Sequence, residues 1–139
     1  MKLAKPRTMI RRFETLKKSS TRSPTKPLNR GAHPRRGEIW WVRLDPTLGA
    51  EIRKTRPCAV LTTNIVNDHR RTVVMMPLSS APTGKPPLLI PLTCGGRASV
   101  AVVDQIRAVT KERFLQRIET LSGQQLRALE DGLRAILEL

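Results

Sequence analysis

The sequence predicts a mainly β domain, a small barrel followed by one C-terminal helix, behind a basic extension. Two observations carry this prediction. After residue 36, short apolar or alternating runs recur between clusters of Gly, Pro, Asn and Ser, the punctuation of an antiparallel all-β chain. From Ser122 onward the apolar period changes to helical spacing, with Leu126, Leu129, Leu133, Ile136 and Leu137 in register.

The first strand is Glu38 to Asp45, where Ile39 and Trp41, extended by Leu44, alternate with Glu38, Trp40 and Arg43. Trp40 and Trp41 are adjacent, so alternation places one in the core and the other nearer the surface. Asp45, Pro46, Thr47 and Gly49 then break the strand, which predicts a long surface loop over residues 45–56 holding Glu51, Arg53, Lys54 and Arg56 outward. The chain restarts at Pro57. Residues 58–63 and 72–78 read as two apolar strands around a polar stretch, 64–70, suited to a helical turn. Ser79 falls just beyond the second of these. Residues 79–87, rich in Ser, Pro and Gly, form a loop, and residues 88–92 and 98–103 are two more strands joined by a hairpin turn at Thr93-Cys94-Gly95-Gly96. Five strands of this length favour closure, because a barrel leaves no unpaired edge. Ser122 with Gln125 has the spacing of a capping box that opens the final helix, whose apolar stripe suits core or dimer contact.

Charge is distributed unevenly. Residues 1–36 hold twelve Lys or Arg against one acid, Glu14, so +11 of the formal +15 lies there. Such a balance attracts phosphate backbones through sequence-independent, salt-dependent electrostatics, and it suits ribosomal and chromatin proteins as well as enzymes. Residues 1–35 also carry Pro6, Pro24, Pro27 and Pro34 and few large apolar side chains, too little to offset chain entropy. Met9, Ile10, Phe13 and Leu16 fall near helical spacing, which allows a short transient helix around residues 7–18. Three readings of this extension stay open: a disordered RNA-attracting arm, a start codon upstream of the true one, or an organelle transit peptide. The domain boundary is accordingly placed between residues 35 and 36.

Other classes are disfavoured. No apolar run approaches the roughly twenty residues that span a bilayer, and residues 1–12 lack a secretory signal's apolar segment, so the expectation is a soluble, cytoplasmic protein. Cys58 and Cys94 stand alone and His33 and His69 fall in unrelated segments. No metal-ligand spacing can be read, and neither a metal nor a cofactor is expected.

Gly37-Glu38-Ile39-Trp40, Leu44-Asp45-Pro46-Thr47, Gly49, Glu51 and Thr55-Arg56-Pro57 resemble the opening of the MazF/PemK toxins, the endoribonuclease halves of bacterial type II toxin–antitoxin pairs. Residues 73–80, Val103-Asp104-Gln105-Ile106-Arg107 and Leu121-Ser122 with the leucine-periodic tail extend the resemblance over residues 36–139. It implies an SH3-like, CcdB-like barrel of five to six strands, a homodimer, single-stranded mRNA as substrate and a cognate antitoxin protein as partner. In that family the arginine of Thr-Arg-Pro is catalytic, which matches Arg56. A second catalytic hydroxyl, most often threonine, matches Ser79; serine keeps the hydroxyl and loses the methyl that fixes its rotamer. Asp104 matches an acidic position used by some PemK-type members. Ala50 and Val102 depart from the pattern, standing where some relatives have a histidine and an arginine.

Chemistry gives each residue a task. A ribonuclease without metal or histidine can use the 2′-hydroxyl as internal nucleophile, and then needs a base, a cation for the phosphorane and a proton source for the 5′-oxygen. Arginine is always charged and its fork fits phosphate oxygens, so Arg56 suits the second task. Ser79 can orient the phosphate, and Glu51 and Asp104 are the base candidates. Arg53, Lys54, Thr55, Ser80, Arg97 and Gln105 are the candidate RNA contacts. Blander readings stand beside these: Arg56 paired with Glu51 or Asp104 as a surface bridge, Asp104 bracing a loop or paired with Arg107, and Ser79 and Ser80 as turn residues. Two other functions compete, a non-catalytic RNA-binding barrel and a gyrase-poisoning toxin of similar fold. The gyrase poisons rely on a C-terminal tryptophan, and this chain ends Leu137-Glu138-Leu139.

Overall fold

The computed structural model describes residues 33–81 and 83–139. The helix expected near residues 7–18 and nearly all of the basic extension lie outside the described residues.

Seven strands and two helices follow in order: β1 (Glu38–Arg43), β2 (Thr55–Val60), α1 (Asn64–His69), β3 (Thr72–Ser80), β4 (Leu89–Cys94), β5 (Arg97–Val102), β6 (Arg107–Thr110), β7 (Phe114–Thr120) and α2 (Gly123–Leu137). Short 3-10 turns at Val103–Gln105 and Lys111–Arg113 flank β6. Every ladder is antiparallel, in the order β4-β5-β3-β2-β1-β7, with β6 on the first half of β3. The mainly β class and the closing helix are as predicted, but the strand count is seven rather than five or six, and the sheet is not closed. It curls instead. The Gly95 amide at the β4–β5 turn donates to Glu119 of β7 at 2.7 Å, so the two ends of the ladder meet through a side chain.

β6 and β7 escaped the sequence reading for different reasons. β6 has only four residues, too few to show a period, and β7 is half-covered along most of its length, so its alternation is weak.

Both faces of the central strands are buried. Ile39, Trp41, Ala59, Leu61, Met76, Leu78 and Leu129 belong to one apolar cluster, and Trp40, Val42, Leu44, Cys58, Val60, Met75 and Phe114 to another. The expectation of one outward tryptophan is therefore corrected. Trp40 and Trp41 are 5% and 4% exposed, on opposite faces. Trp40 meets Phe114 edge-on with centroids 6.0 Å apart, and its indole N–H donates to Glu38 at 3.0 Å. Leu44 likewise lies with Trp40 and Val42, as strict alternation requires, and not with Ile39 and Trp41.

The first cluster is sealed by α2. Ser122 accepts from the Gln125 amide at 3.1 Å while the Gln125 side chain accepts from the Ser122 amide at 2.9 Å, the predicted capping box. Leu129 is fully buried, with Leu126, Leu133 and Ile136 around it. Gly132 lets the helix approach closely: a Cβ there would stand 3.0 Å from the Pro87 carbonyl oxygen and 3.2 Å from Val103. That contact fixes the Val103–Gln105 turn. The two thiols, Cys58 and Cys94, are free and buried. No helix among the described residues is long and apolar enough to cross a membrane.

Candidate active site

Between β1 and β2 the chain makes a loop, residues 44–54, with a closed neck. The Leu44 amide donates to the Lys54 carbonyl at 2.8 Å, Arg43 pairs with Thr55, and the Arg113 guanidinium donates to the carbonyls of Arg43 and Asp45. Lys54 turns the chain into β2 with φ of 68°, a left-handed conformation uncommon for a side chain of its size. Ile52 packs inward on the second cluster, and its amide donates to the Gln105 side-chain oxygen at 3.4 Å. This bond joins the loop that carries Glu51 to the 3-10 turn that carries Asp104.

The boundary of that loop is shorter than predicted. Thr55 and Arg56 belong to β2, where Arg56 faces Val42, and Arg56 is half-buried rather than held outward. Its Nε donates to the Arg53 carbonyl at 3.1 Å, while one terminal nitrogen, Nη1, is buried without a hydrogen-bond partner among the described residues. Burial draws the Arg56 guanidinium below its usual pKa. The group stays charged at neutral pH.

β3 also extends further than predicted, through Ser80, so Ser79 is a strand residue and not the start of a loop. The β2–β3 register is Val60↔Met75, Ala59↔Met76 and Cys58↔Pro77. The ladder ends there, before Arg56 and Ser79; by alternation both share the face of Cys58. Alternation turns Ser80 toward the other face, opposite the buried Ser99.

The remaining candidates divide. Glu51 is exposed and accepts from the Leu48 amide at 2.8 Å; Arg53 is exposed and donates to the Gly49 carbonyl at 3.3 Å. Lys54 and Asp104 are exposed, and Thr55 and Gln105 are half-buried. Arg97 opens β5 opposite Cys94 at the hairpin turn. It lies two residues past the Ser80↔Ser99 pair that ends the β3 ladder, about 7 Å along the strand axis. Among the described residues neither Arg56 nor Arg107 forms an ion pair with Glu51 or Asp104, so the surface-bridge readings do not describe this geometry. No cluster of three or more metal-ligating side chains occurs among the described residues.

One neighbour was not singled out by its sequence. Arg107 of β6 also has a buried, unpartnered Nη1, and both it and Arg56 act on the Cys58 thiol. Its sequence signal was the Asp104-Gln105-Ile106-Arg107 run, read as a possible partner for Asp104.

The arrangement offers an unsatisfied guanidinium on β2, a strand hydroxyl on the same face of β3 and two carboxylates on separate loops. Comparisons with known proteins show the family. The PemK-like, MazF-like toxins of type II toxin–antitoxin systems match residues 35–137. The chain is 33% identical over 114 residues to Endoribonuclease MazF9 of Mycobacterium tuberculosis, across 76% of this chain and 97% of that protein. It is 25% identical over 105 residues to Endoribonuclease toxin MazF of Escherichia coli K12, across 75% and 94%. In fold it is similar to the crystal structure of MazF from Deinococcus radiodurans, with a TM-score of 0.69 at 22% identity, covering 78% of this chain and 99% of that one. It is also similar to a mycobacterial endoribonuclease solved in complex with its cognate antitoxin, with a TM-score of 0.64 at 17% identity, covering 76% and 96%. The chain belongs to the PemK-like, MazF-like toxin family of type II toxin–antitoxin systems.

Proposed function

We propose that this toxin is a sequence-specific endoribonuclease that cleaves single-stranded mRNA without a divalent ion. The 2′-hydroxyl attacks the adjacent phosphorus, the new 2′-oxygen–phosphorus bond forms, and the bond to the 5′-oxygen breaks. Products carry a 2′,3′-cyclic phosphate and a 5′-hydroxyl. The observation that carries this reading is Arg56, a half-buried guanidinium with one donor left unpaired, at the start of β2. A donor desolvated before substrate arrives needs no reorganisation when charge develops on the phosphorane, which is the condition under which electrostatic stabilisation is largest.

Arg56 holds the non-bridging oxygens, Ser79 orients the phosphate, and base and acid duty falls to Glu51 and Asp104 on the two loops that Gln105 ties together. Arg53, Lys54 and Thr55 at the loop exit, with Gln105 beyond, form the track for the RNA backbone, while Ser80 and Arg97 lie toward the other face of the sheet. The toxin acts in the cytoplasm as a homodimer. Its antitoxin, as in the mycobacterial complex, engages it directly, and an acidic, unfolded segment of that partner lies across the basic track in competition with RNA.

The test is cleavage of single-stranded RNA by the purified protein in EDTA, with the chemistry of both new ends determined. Cleavage with 5′-hydroxyl ends is expected. Loss of cleavage in EDTA with the fold intact, or 5′-phosphate ends, would contradict internal attack, and tight binding without cleavage would favour the non-catalytic barrel.

A further inference from the structure

β6 brings a second arginine to the face that carries Arg56. Arg107 pairs with Met75 across β6–β3, and Met75 pairs with Val60 across β3–β2, so Arg107 stands on the face of Met75, Val60 and Cys58. Cys58 is two residues along β2 from Arg56, on the same face. The thiol lies within electrostatic reach of both guanidinium groups.

Each of these arginines has its Nη1 buried with no hydrogen-bond partner, and among the described residues no other cationic side chain does. Two like charges beside one buried thiol, each with a buried donor left without an acceptor, oppose folding unless something supplies the missing acceptors. Cys58 does not. Burial drives its thiol far above the usual range, so it stays neutral between them. Glu51 and Asp104 do not pair with either arginine among the described residues.

We propose that Arg107 is a second phosphate-binding residue, its Nη1 holding a non-bridging oxygen of the same RNA phosphate that Arg56 holds. This rests on the ribonuclease reading for the identity of the phosphate. The cradle itself rests on the paired orphan donors. A phosphodiester has two non-bridging oxygens and gains charge as the phosphorane forms, so two guanidinium groups match it better than one. Asp104 and Gln105 precede Arg107 by only a few residues, so the turn that ties down the loop also delivers this arginine.

The test uses the full chain with Arg107→Gln and Arg107→Lys, folding being checked by thermal denaturation. Binding of a single-stranded DNA dodecamer, which lacks the 2′-hydroxyl and cannot be cleaved by internal attack, is titrated against salt. Single-turnover cleavage of RNA is measured beside it. Arg107→Gln should lower the slope of log affinity against log salt by about 0.7, the value of one single-strand phosphate contact. It should also slow cleavage on the order of 10²-fold. Arg107→Lys should keep the salt slope and recover only part of the rate, since a point charge lacks the planar fork. If Arg107→Gln does not fold, a wild-type rate in Arg107→Lys overturns the proposal. A folded Arg107→Gln with unchanged slope overturns it too, whatever the rate, because the residue would then act through packing alone. Were wild type to leave RNA intact while the slope still fell in Arg107→Gln, the phosphate cradle would stand and the ribonuclease reading would fail.

Discussion

Each face of the central sheet holds an apolar cluster, but the two are finished in opposite ways. One is closed by α2, whose Leu129 is fully buried and whose N-terminus is capped on both sides by Ser122 and Gln125. The other is closed by the shorter β6, by Phe114 and by the 44–54 loop through Ile52, and at its end sit two arginines with unmade hydrogen bonds. The first face is built for stability. The second leaves charge and hydrogen-bonding capacity unspent where an anion can use them. Substitutions should therefore separate: those on the helix side change how long the protein stays folded, and those at the arginine end change what the folded protein does.

The largest expected effect is on the open face. Arg56→Ala should slow single-turnover RNA cleavage by on the order of 10² to 10³, about 3–4 kcal/mol of transition-state stabilisation, without lowering the melting temperature. Arg56→Lys should restore part of the rate. On the helix face Leu129→Ala should do the reverse, costing about 3 kcal/mol of stability by opening a cavity, with the rate of the folded fraction unchanged. Denaturant titration beside cleavage kinetics checks both. If Leu129→Ala slowed chemistry as much as Arg56→Ala, the two faces would not be separable.

A smaller effect follows from the buried thiols. Burial raises the pKa of both Cys58 and Cys94, so the folded state resists losing those protons that the unfolded chain gives up. Stability from this source is intact below the ordinary thiol pKa near 8.5 and falls above it, by about 1–2 kcal/mol per thiol at pH 10. Replacing Cys94 with alanine should flatten the alkaline decline seen in urea titrations between pH 8 and 10. An unchanged slope would mean that Cys94 ionises freely in the fold. Smallest is the cap: Ser122→Ala should cost about 1 kcal/mol and leave cleavage untouched, as a shift in the denaturation midpoint would record.

How much of this was legible depended on how many residues share a signal. The helix and its cap were readable because five apolar positions and a Ser/Gln pair agree. The β4–β5 hairpin was readable from Gly95-Gly96, both of which take positive φ in the turn. β1 was readable as a strand but not as one buried on both faces, because Glu38 and Arg43 at its ends imitate the polar side of a half-exposed strand. Lys54 in a left-handed conformation has no sequence signature, so the loop was carried two residues too far and Arg56 was placed outside the sheet. The link between Gln105 and Ile52 spans 53 positions and depends on α2 holding the Val103–Gln105 turn, a relation that local patterns do not contain. Arg107 was hidden for the same reason, since its neighbours are defined by the β6–β3 register.

The central claim is that chemistry resides in the half-buried arginine and not in the bulk positive charge of the chain. Residues 1–32 hold ten of the 26 Lys and Arg, and deleting them leaves the Arg35–Asp68 pair in place. Single-turnover cleavage at saturating RNA, measured for wild type, for the chain lacking residues 1–32 and for Arg56→Ala, separates the two sources of charge. The deletion should weaken RNA binding and flatten its salt dependence while leaving the saturated rate near wild type, and Arg56→Ala should bind nearly as well and cleave far more slowly. A wild-type rate in Arg56→Ala together with an inactive deletion would place the chemistry in the extension and contradict the site.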